Sequence, residues 1–227
     1  MRRLSLVIAT LSMGYALVWA QDPKQLLQQR LAEVKQSVAE NQARLKTYKW
    51  VETTEVSLKG EVKKREQKEC RYGPNGKVQK TSITAPAEPK KKQRGLKGKI
   101  VQKKVDELQD YMERFGSLLS RYVPPDPAQM QAAFQSGKAS ISRGTLAFAD
   151  YAKPGDRVTF NLDTATKKLQ NFKVATYLDG PEDAVGVDAR FSSLPDGTNF
   201  VEETILTSKS KELQIKITNF DHAKVGQ

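Results

Sequence analysis

The sequence predicts an α+β protein whose curved antiparallel sheet of about nine strands forms an unclosed half-barrel. Six short alternating apolar runs occupy residues 146–220, with Gly, Pro or Asp between most of them. Three more such runs occupy residues 48–83, and residues 100–137 between the two sets have helical spacing. Alternation interrupted by tight turns is typical of antiparallel strands joined by hairpins. We therefore expect an N-terminal helix, a sheet, and a mid-chain two-helix insert that covers the concave face.

The first helix is predicted over residues 23–46. Asp22 is a suitable N-cap and Pro23 a suitable first helical residue. Apolar residues then recur at spacings of three, four or seven, which indicates one apolar face: Leu27, Leu31, Val34, Val38 and Leu45.

Three strands are predicted next, over residues 48–59, 61–72 and 77–83. In the first, one face carries Tyr48, Trp50, Thr54, Val56 and Leu58. The second strand has a heavily charged outer face, and turns at 59–60 and 73–76 contain glycine.

Residues 84–99 are rich in Lys and Pro, and we expect a disordered basic loop because this composition buries little apolar surface. A helix is predicted after it, with one apolar stripe formed by Val101, Val105, Leu108, Met112, Phe115, Leu119 and Tyr122. Asp126 and Pro127 begin a shorter helix that ends at Gly137. The stripe has two interpretations, fixed core packing or a movable lid over a ligand cavity.

The last six strands are predicted over 146–151, 157–163, 168–178, 184–192, 198–208 and 212–220. Pro-Gly-Asp, Asp-Gly-Pro and Pro-Asp-Gly sequences at 154–156, 179–181 and 195–197 supply three of the turns.

The N-terminus predicts export. Arg2 and Arg3 precede an apolar run over 4–18, and Val18 and Ala20 are the small residues of a cleavage site. We expect residues 1–20 to be a secretory signal peptide cleaved after Ala20, leaving a periplasmic or secreted protein whose residues 21–227 form one domain. A retained membrane anchor is the alternative, although the run is shorter than the ~20 residues that span a bilayer.

The formal net charge is +12, and it is concentrated in one region. Residues 59–104 contain 16 Lys and Arg against 4 Glu. The predicted anionic-surface contacts within it are Lys90, Lys91, Lys92, Arg94, Lys97 and Lys99. This segment is interpreted as a solvated connector, a contact for anionic lipid headgroups, or a dock for an acidic envelope protein. The cluster over residues 90–104 lacks the interleaved aromatic residues that stack on single-stranded nucleic acid, so no nucleic-acid partner is expected.

The inventory of reactive side chains argues against an enzyme. Cys70 and His222 are the only residues of their kinds, which excludes a disulfide within the chain and a multi-ligand His/Cys metal site. We expect His222 to be an ordinary surface residue on a fraying tail, and Cys70 to be buried on its strand, with a disulfide-linked dimer as the alternative. Phosphate-binding glycine loops and dinucleotide fingerprints are missing from the sequence, and we expect no cofactor.

The order of these elements resembles the periplasmic lipoprotein-carrier (Lol-type) superfamily, which includes lipid-binding envelope lipoproteins. The sequences Tyr48-Lys49-Trp50-Val51-Glu52 and, from Val56, Val-Ser-Leu-Lys-Gly-Glu also resemble small secreted bacterial proteins. The first resemblance implies an unclosed, strongly curved half-barrel with helices on its concave side, and lipid as the ligand class.

The leading functional hypothesis is an exported, non-enzymatic protein that binds a lipid or lipoprotein acyl chain within the sheet's concavity. The candidate lining residues are Trp50, Val56, Leu58, Met112, Phe115, Leu119, Phe160, Phe172, Val174, Val187, Phe191, Ile205 and Ile215. The alternative is an envelope scaffold or adaptor whose sheet is filled by its own helices and which acts through the Lys-rich loop.

Overall fold

The computed structural model describes residues 36, 39–83, 96–123, 125–166 and 168–226. The chain divides into two units, Met1–Val38 and Ala39–Gln227. Only Gln36 of the first unit is described, and the structure below is that of the second. The predicted signal peptide over 1–20 lies outside the described residues. Within the described part of the chain, no helix is long and apolar enough to cross a membrane.

Ten strands form one antiparallel sheet in the order β3-β2-β1-β10-β9-β8-β7-β6-β5-β4. Their bounds are Tyr48–Leu58 (β1), Glu61–Tyr72 (β2), Val78–Ser82 (β3), Ala139–Ser142 (β4), Thr145–Ala149 (β5), Arg157–Leu162 (β6), Leu169–Tyr177 (β7), Ala184–Ser193 (β8), Asn199–Ser208 (β9) and Leu213–Lys224 (β10). The predicted α+β class with a curved, unclosed antiparallel sheet is confirmed.

β1, the first strand in the sequence, pairs with β10, the last strand. β1 and β10 are antiparallel neighbours from Tyr48·Lys224 to Leu58·Leu213. This pairing leaves β3 and β4 as the two edges of the open sheet. Register shifts interrupt the β1–β10, β1–β2, β6–β7 and β8–β9 pairs. Irregularities of this kind, such as β-bulges, increase local bending and twist.

The prediction of nine strands missed β4. Its four residues pair with β5 across the turn at Arg143 and Gly144, where both residues have positive φ angles of 42° and 85°. Ile141 at this edge is 60% exposed, so the strand has no buried face from which an alternating pattern could arise.

Three helices occur among the described residues: 39–45 (α1), Leu96–Leu119 (α2) and Pro127–Gln135 (α3). The Asp126 carboxylate caps α3 by accepting from Ala128 N at 2.8 Å. The predicted loop over 84–99 was too long at its C-terminal end, because α2 begins at Leu96. The remainder of that loop lies outside the described residues.

One face of the sheet, the helix-bearing face, is apolar across seven strands. Directly paired residues share a face, and the pairing register gives one continuous row: Phe148, Val158, Val174, Val187, Leu206, Ile215 and Val56. The core is built on the part of this row contributed by β5–β8, together with α2 and α3.

The other face, the polar face, carries ion pairs between neighbouring strands. Lys173 and Asp188 are 2.7 Å apart, and Arg65 and Glu55 are 3.1 Å apart. Lys216 lies 2.7 Å from Glu203. Because most of these side chains remain substantially exposed, each pair contributes little to stability, typically below about 1 kcal/mol.

Candidate functional site

The C-terminal half of α2 packs onto the helix-bearing face, and its buried face matches the predicted stripe only in part. The most buried residues are Tyr111, Phe115 and Leu118 of α2 and Tyr122 just after it, at spacings of four, three and four. Of the predicted stripe, Phe115 and Tyr122 are buried, whereas Leu108, Met112 and Leu119 are only partly buried. Tyr111 and Leu118 were not predicted. Val101 and Val105 have side chains outside the described set.

Hydrogen bonds of the Tyr111 hydroxyl connect α2 to two turns of the sheet. Its hydroxyl donates to Asp183 Oδ1 at 2.9 Å in the β7–β8 turn and lies 2.7 Å from Ser208 Oγ at the end of β9. Ser210 also donates to Asp183. Burial is the main reason that the pKa of Tyr111 is raised, and the Asp183 contact raises it further. The phenol is therefore a fixed, neutral hydrogen-bond donor.

Tyr122 fastens the polypeptide just after the helix in the same way. Its hydroxyl donates to Asp156 Oδ2 at 2.7 Å and lies 2.9 Å from Thr176 Oγ1. Asp156 is 2% exposed and also accepts from the backbone N–H groups of Tyr151, Ala152 and Lys153, so its buried charge is fully hydrogen-bonded. Burial raises the pKa of Tyr122 strongly, with Asp156 adding to the effect.

Eight of the predicted lining residues belong to the core beneath α2 and α3. Phe115, Phe172, Val174 and Val187 are among its buried members. Met112, Leu119, Phe160 and Phe191 are partly buried and pack against it. The Phe160 and Phe172 rings are 5.0 Å apart, centroid to centroid. In this region the protein's own side chains occupy the space that the hypothesis assigns to a ligand.

The other five predicted lining residues lie outside that cluster. Val56 and Ile215 are paired on the helix-bearing face, and Leu58 follows two residues after Val56 on the same side. Ile205 pairs with Lys216 and lies on the polar face instead.

Trp50, the fifth residue, belongs to an aromatic group near the C-terminal end of β10. Its indole stacks on His222 at a centroid distance of 6.0 Å, and the Phe200 ring centroid lies 4.1 Å from that of His222. Trp50 Nε1 donates to Asn219 Oδ1 at 3.0 Å. The expectation that His222 lies on a fraying tail was wrong, because β10 extends to Lys224 by pairing with β1. Burial lowers the pKa of His222, while Asp221 opposes this shift.

Cys70 is fully buried, as predicted. It lies on β2, where it pairs with Trp50 of β1. Its burial, and the nearby carboxylate of Glu52, raise the pKa of the thiol. Glu52 is 8% exposed and accepts from Lys80 Nζ at 2.6 and 2.7 Å. A protonated, buried thiol is a poor nucleophile.

Two adjoining open grooves, of about 390 and 440 Å³, lie on the polar face. Ala175, Gly186 and Thr207 are neighbours across β7–β9 and line both grooves. A Cβ on Gly186 would lie 3.2 Å from Thr207 Oγ1 and 3.3 Å from Val174 O. These small side chains leave the space that forms the grooves, and the lining also includes Val174, Val185 and Val187 of the core strands.

Of the predicted cationic surface, Lys90, Lys91, Lys92 and Arg94 lie outside the described residues. Lys97 and Lys99 lie within α2, although their side chains are not among those described. The neighbouring β2–β3 hairpin is also basic, with seven Lys and Arg against three Glu over residues 61–83.

The described residues contain no group of three or more His, Cys, Asp or Glu side chains arranged to hold a metal ion. Sequence reasoning missed Tyr111, Asp156 and Asp183, the polar residues that fix α2. Two signals were available in the sequence. One is the Pro-Gly-Asp turn at 154–156, and the other is the spacing of eleven residues between Tyr111 and Tyr122, which corresponds to about three turns of a helix.

Searches of protein-family models, curated proteins and solved structures found no match to this chain. The resemblance to Lol-type carriers therefore stays a proposal based on element order.

Proposed function

We propose that the protein is a non-enzymatic scaffold or adaptor of the cell envelope that acts through its basic region, with its sheet filled by its own helices. One observation carries this proposal: the surface formed by Tyr111, Phe115 and Leu118 of α2 and by Tyr122 just after it is buried on the sheet.

The two tyrosine contacts argue for a fixed helix rather than a movable lid. Lifting α2 away would expose Phe115, which is 1% exposed, and would remove one donor from each of two buried carboxylates. Breaking a hydrogen bond to a charged group costs about 1.5–3 kcal/mol, before the apolar surface is counted. A ligand that enters beneath α2 would have to offset both the lost hydrogen bonds and the exposure of apolar surface.

The charge distribution supports surface contact as the mode of action. The basic region over 59–104 lies between two segments that together are close to neutral. An acidic partner would meet a concentrated positive field, which favours fast association that weakens with salt.

A second candidate is the binding of a lipid or acyl chain, as the resemblance implies. The observation that favours it is the continuation of the apolar row through Ile215 and Val56, outside the cluster beneath α2. Trp50 and Leu58 would extend that surface. In this second candidate function, the acyl chain of the ligand would lie along β10 and β1.

Mild purification from the native envelope, followed by native mass spectrometry, distinguishes the candidates. The adaptor proposal expects a lipid-free protein with an acidic partner. Replacing Lys90, Lys91, Lys92 and Arg94 by Gln should release that partner, whereas a control that replaces Lys138, Lys168, Lys209 and Lys224 should retain it. A stoichiometric lipid that is lost on Val56→Asp substitution would reject the adaptor proposal in favour of the carrier.

A further inference from the structure

We propose that the protein dimerises in solution by antiparallel pairing of β4 with β4 of a second copy, about a two-fold axis beside Ser140. This contact would join the open edge of one sheet to the same edge of another. The inference goes beyond the adaptor proposal and does not depend on it.

The pairing of β4 with β5 determines which backbone groups of β4 face outward. Lys138 O accepts from Ala149 N at 2.9 Å, so these two residues form a hydrogen-bonded pair. Bonded and non-bonded pairs alternate along an antiparallel ladder, so the residues two and four positions after Lys138 also bond to β5. The N–H and C=O groups of Ala139 and Ile141 therefore point away from β5.

These outward groups are available to another strand. Among the described residues, the outward groups of Ala139 and Ile141 have no hydrogen-bond partner, and no strand pairs with that side of β4. The residues that flank the strand, 125–138 and 143–166, are all described. β4 contains no proline and no charged residue, and its pairing with β5 has no register shift. Of the devices that usually prevent strand addition, its short length is the one it has.

The positions of the outward groups make this edge complementary to itself. Two antiparallel copies of β4 place Ala139 of each opposite Ile141 of the other. Each such pair exchanges two hydrogen bonds, so the two pairs give four. Ser140 of one copy would then lie opposite Ser140 of the other. A two-fold contact uses the same surface on both copies, so it produces a closed dimer and not a filament.

An exposed apolar side chain also favours a covered edge. Ile141 pairs with Leu146, and Leu146 pairs with Phe160, so Ile141 ends an apolar row on the helix-bearing face. Leu146 and Phe160 pack against the core, whereas Ile141 is 60% exposed. In the dimer Ile141 would lie beside Ala139 of the second copy and diagonally across from its Ile141, which removes apolar surface from water.

The charge distribution favours β4 over the other end of the sheet as the contact between copies. Lys138, just before β4, is paired with Asp150 at 3.2 Å. The β2–β3 hairpin carries seven Lys and Arg against three Glu over residues 61–83, so two copies of it would repel each other. Pairing at β4 would leave the two basic hairpins at the outer ends of one continuous sheet. A partner with repeated acidic sites would then meet two hairpins at once, which increases avidity.

The first test measures the assembly of the full-length protein. A contact of four strand residues buries far less than the about 1,200 Å² of a stable interface, so we expect a Kd on the order of 10–100 μM. Analytical ultracentrifugation should therefore show monomers at about 1 μM and mainly dimers at about 500 μM.

Ile141→Lys should weaken dimerisation by at least about tenfold, because two added cations would lie diagonally across the axis. Val62→Lys is the matched control. Val62 is 59% exposed, close to the value for Ile141, but it lies on β2, far from β4 in the strand order. Its replacement should leave the Kd unchanged.

Engineered cysteines test the register of the contact. Ser140→Cys would place two thiols on opposed residues whose Cα atoms are about 4.5 Å apart, within the range of a disulfide. Mild oxidation should give a dimer that disappears on reduction. Ser142→Cys is the control, because its two copies would be about 13 Å apart along the strands. That variant, and the wild type with its buried Cys70, should remain monomeric on non-reducing gels.

Monomers at every concentration, an unchanged Kd in folded Ile141→Lys, or equal cross-linking by Ser142→Cys would overturn the proposal. Equal weakening by Val62→Lys would also overturn it, since the effect would then be general charge repulsion. If Ile141→Lys fails to fold, the two cysteine variants decide.

Discussion

The Tyr122 hydroxyl donates to Asp156 Oδ2 at 2.7 Å, which joins the segment just after α2 to the β5–β6 turn inside the core. Asp156 organises that turn through three backbone N–H groups, so one carboxylate holds both a hairpin and a helix in place. Tyr111 and Asp183 repeat this arrangement at the β7–β8 turn. The Tyr111 and Tyr122 contacts hold α2 on the sheet at two places, so we interpret α2 as part of the core.

We expect Tyr122→Phe to lower the free energy of unfolding by about 1–3 kcal/mol, because Asp156 loses a buried donor. Tyr111→Phe should behave similarly. Tyr177→Phe is the control, since its hydroxyl donates to Pro154 O at an exposed site, and should cost less than about 0.5 kcal/mol. Urea denaturation measures all three. Wild-type stability in both buried variants would show that these bonds do not fasten the helix.

Local sequence patterns predicted the strands that have alternating residues next to recognisable turns, including the fully exposed β3, and they failed where long-range pairing decides. The second strand was predicted with its observed bounds, Glu61–Tyr72. β4 was missed because its only large apolar residue, Ile141, is exposed. His222 was misplaced because β10 is extended by pairing with β1, more than 160 residues earlier in the chain.

The buried face of α2 was misjudged for a chemical reason. Apolar spacing favours Leu108 and Met112, whereas Tyr111 can be buried only because Asp183 and Ser208 meet its hydroxyl. A sequence does not reveal that such partners will come from turns about 70 and 100 residues away. The same limit applies to the candidate site, since element order suggested a concavity but not the side chains that fill it.

The thiol of Cys70 should react slowly in the folded protein. It is fully buried and its pKa is raised by that burial, so little thiolate is available. Labelling with a thiol reagent should be slow in buffer and fast in denaturant. Rapid native labelling, or a dimer that disappears on reduction, would instead support the disulfide-linked alternative.

Acid should weaken the connection between β1 and the β8–β9 turn. Tyr48 donates to Asp196 Oδ2 at 2.6 Å, and this bond is the main reason that the pKa of Asp196 is lowered from 3.8 to about 2. A lowered carboxyl pKa stabilises the fold above the unfolded value of 3.8, and this contribution is lost as pH falls towards 2. Thermal unfolding across this window should show a smaller acid-induced decrease for Asp196→Asn than for wild type. Parallel curves would contradict the prediction.

Replacing Lys90, Lys91, Lys92 and Arg94 by Gln distinguishes a membrane contact from a solvated connector. The stability should change by less than about 0.5 kcal/mol, as for surface sites without special contacts. If the segment contacts anionic lipid, each Lys near the surface contributes about 1 kcal/mol, so the variant should bind acidic vesicles far more weakly. Wild-type binding should also weaken once salt shortens the Debye length below ~10 Å. If wild type and variant both ignore acidic vesicles at physiological salt, the membrane-contact hypothesis is rejected, and an acidic protein remains the partner to test.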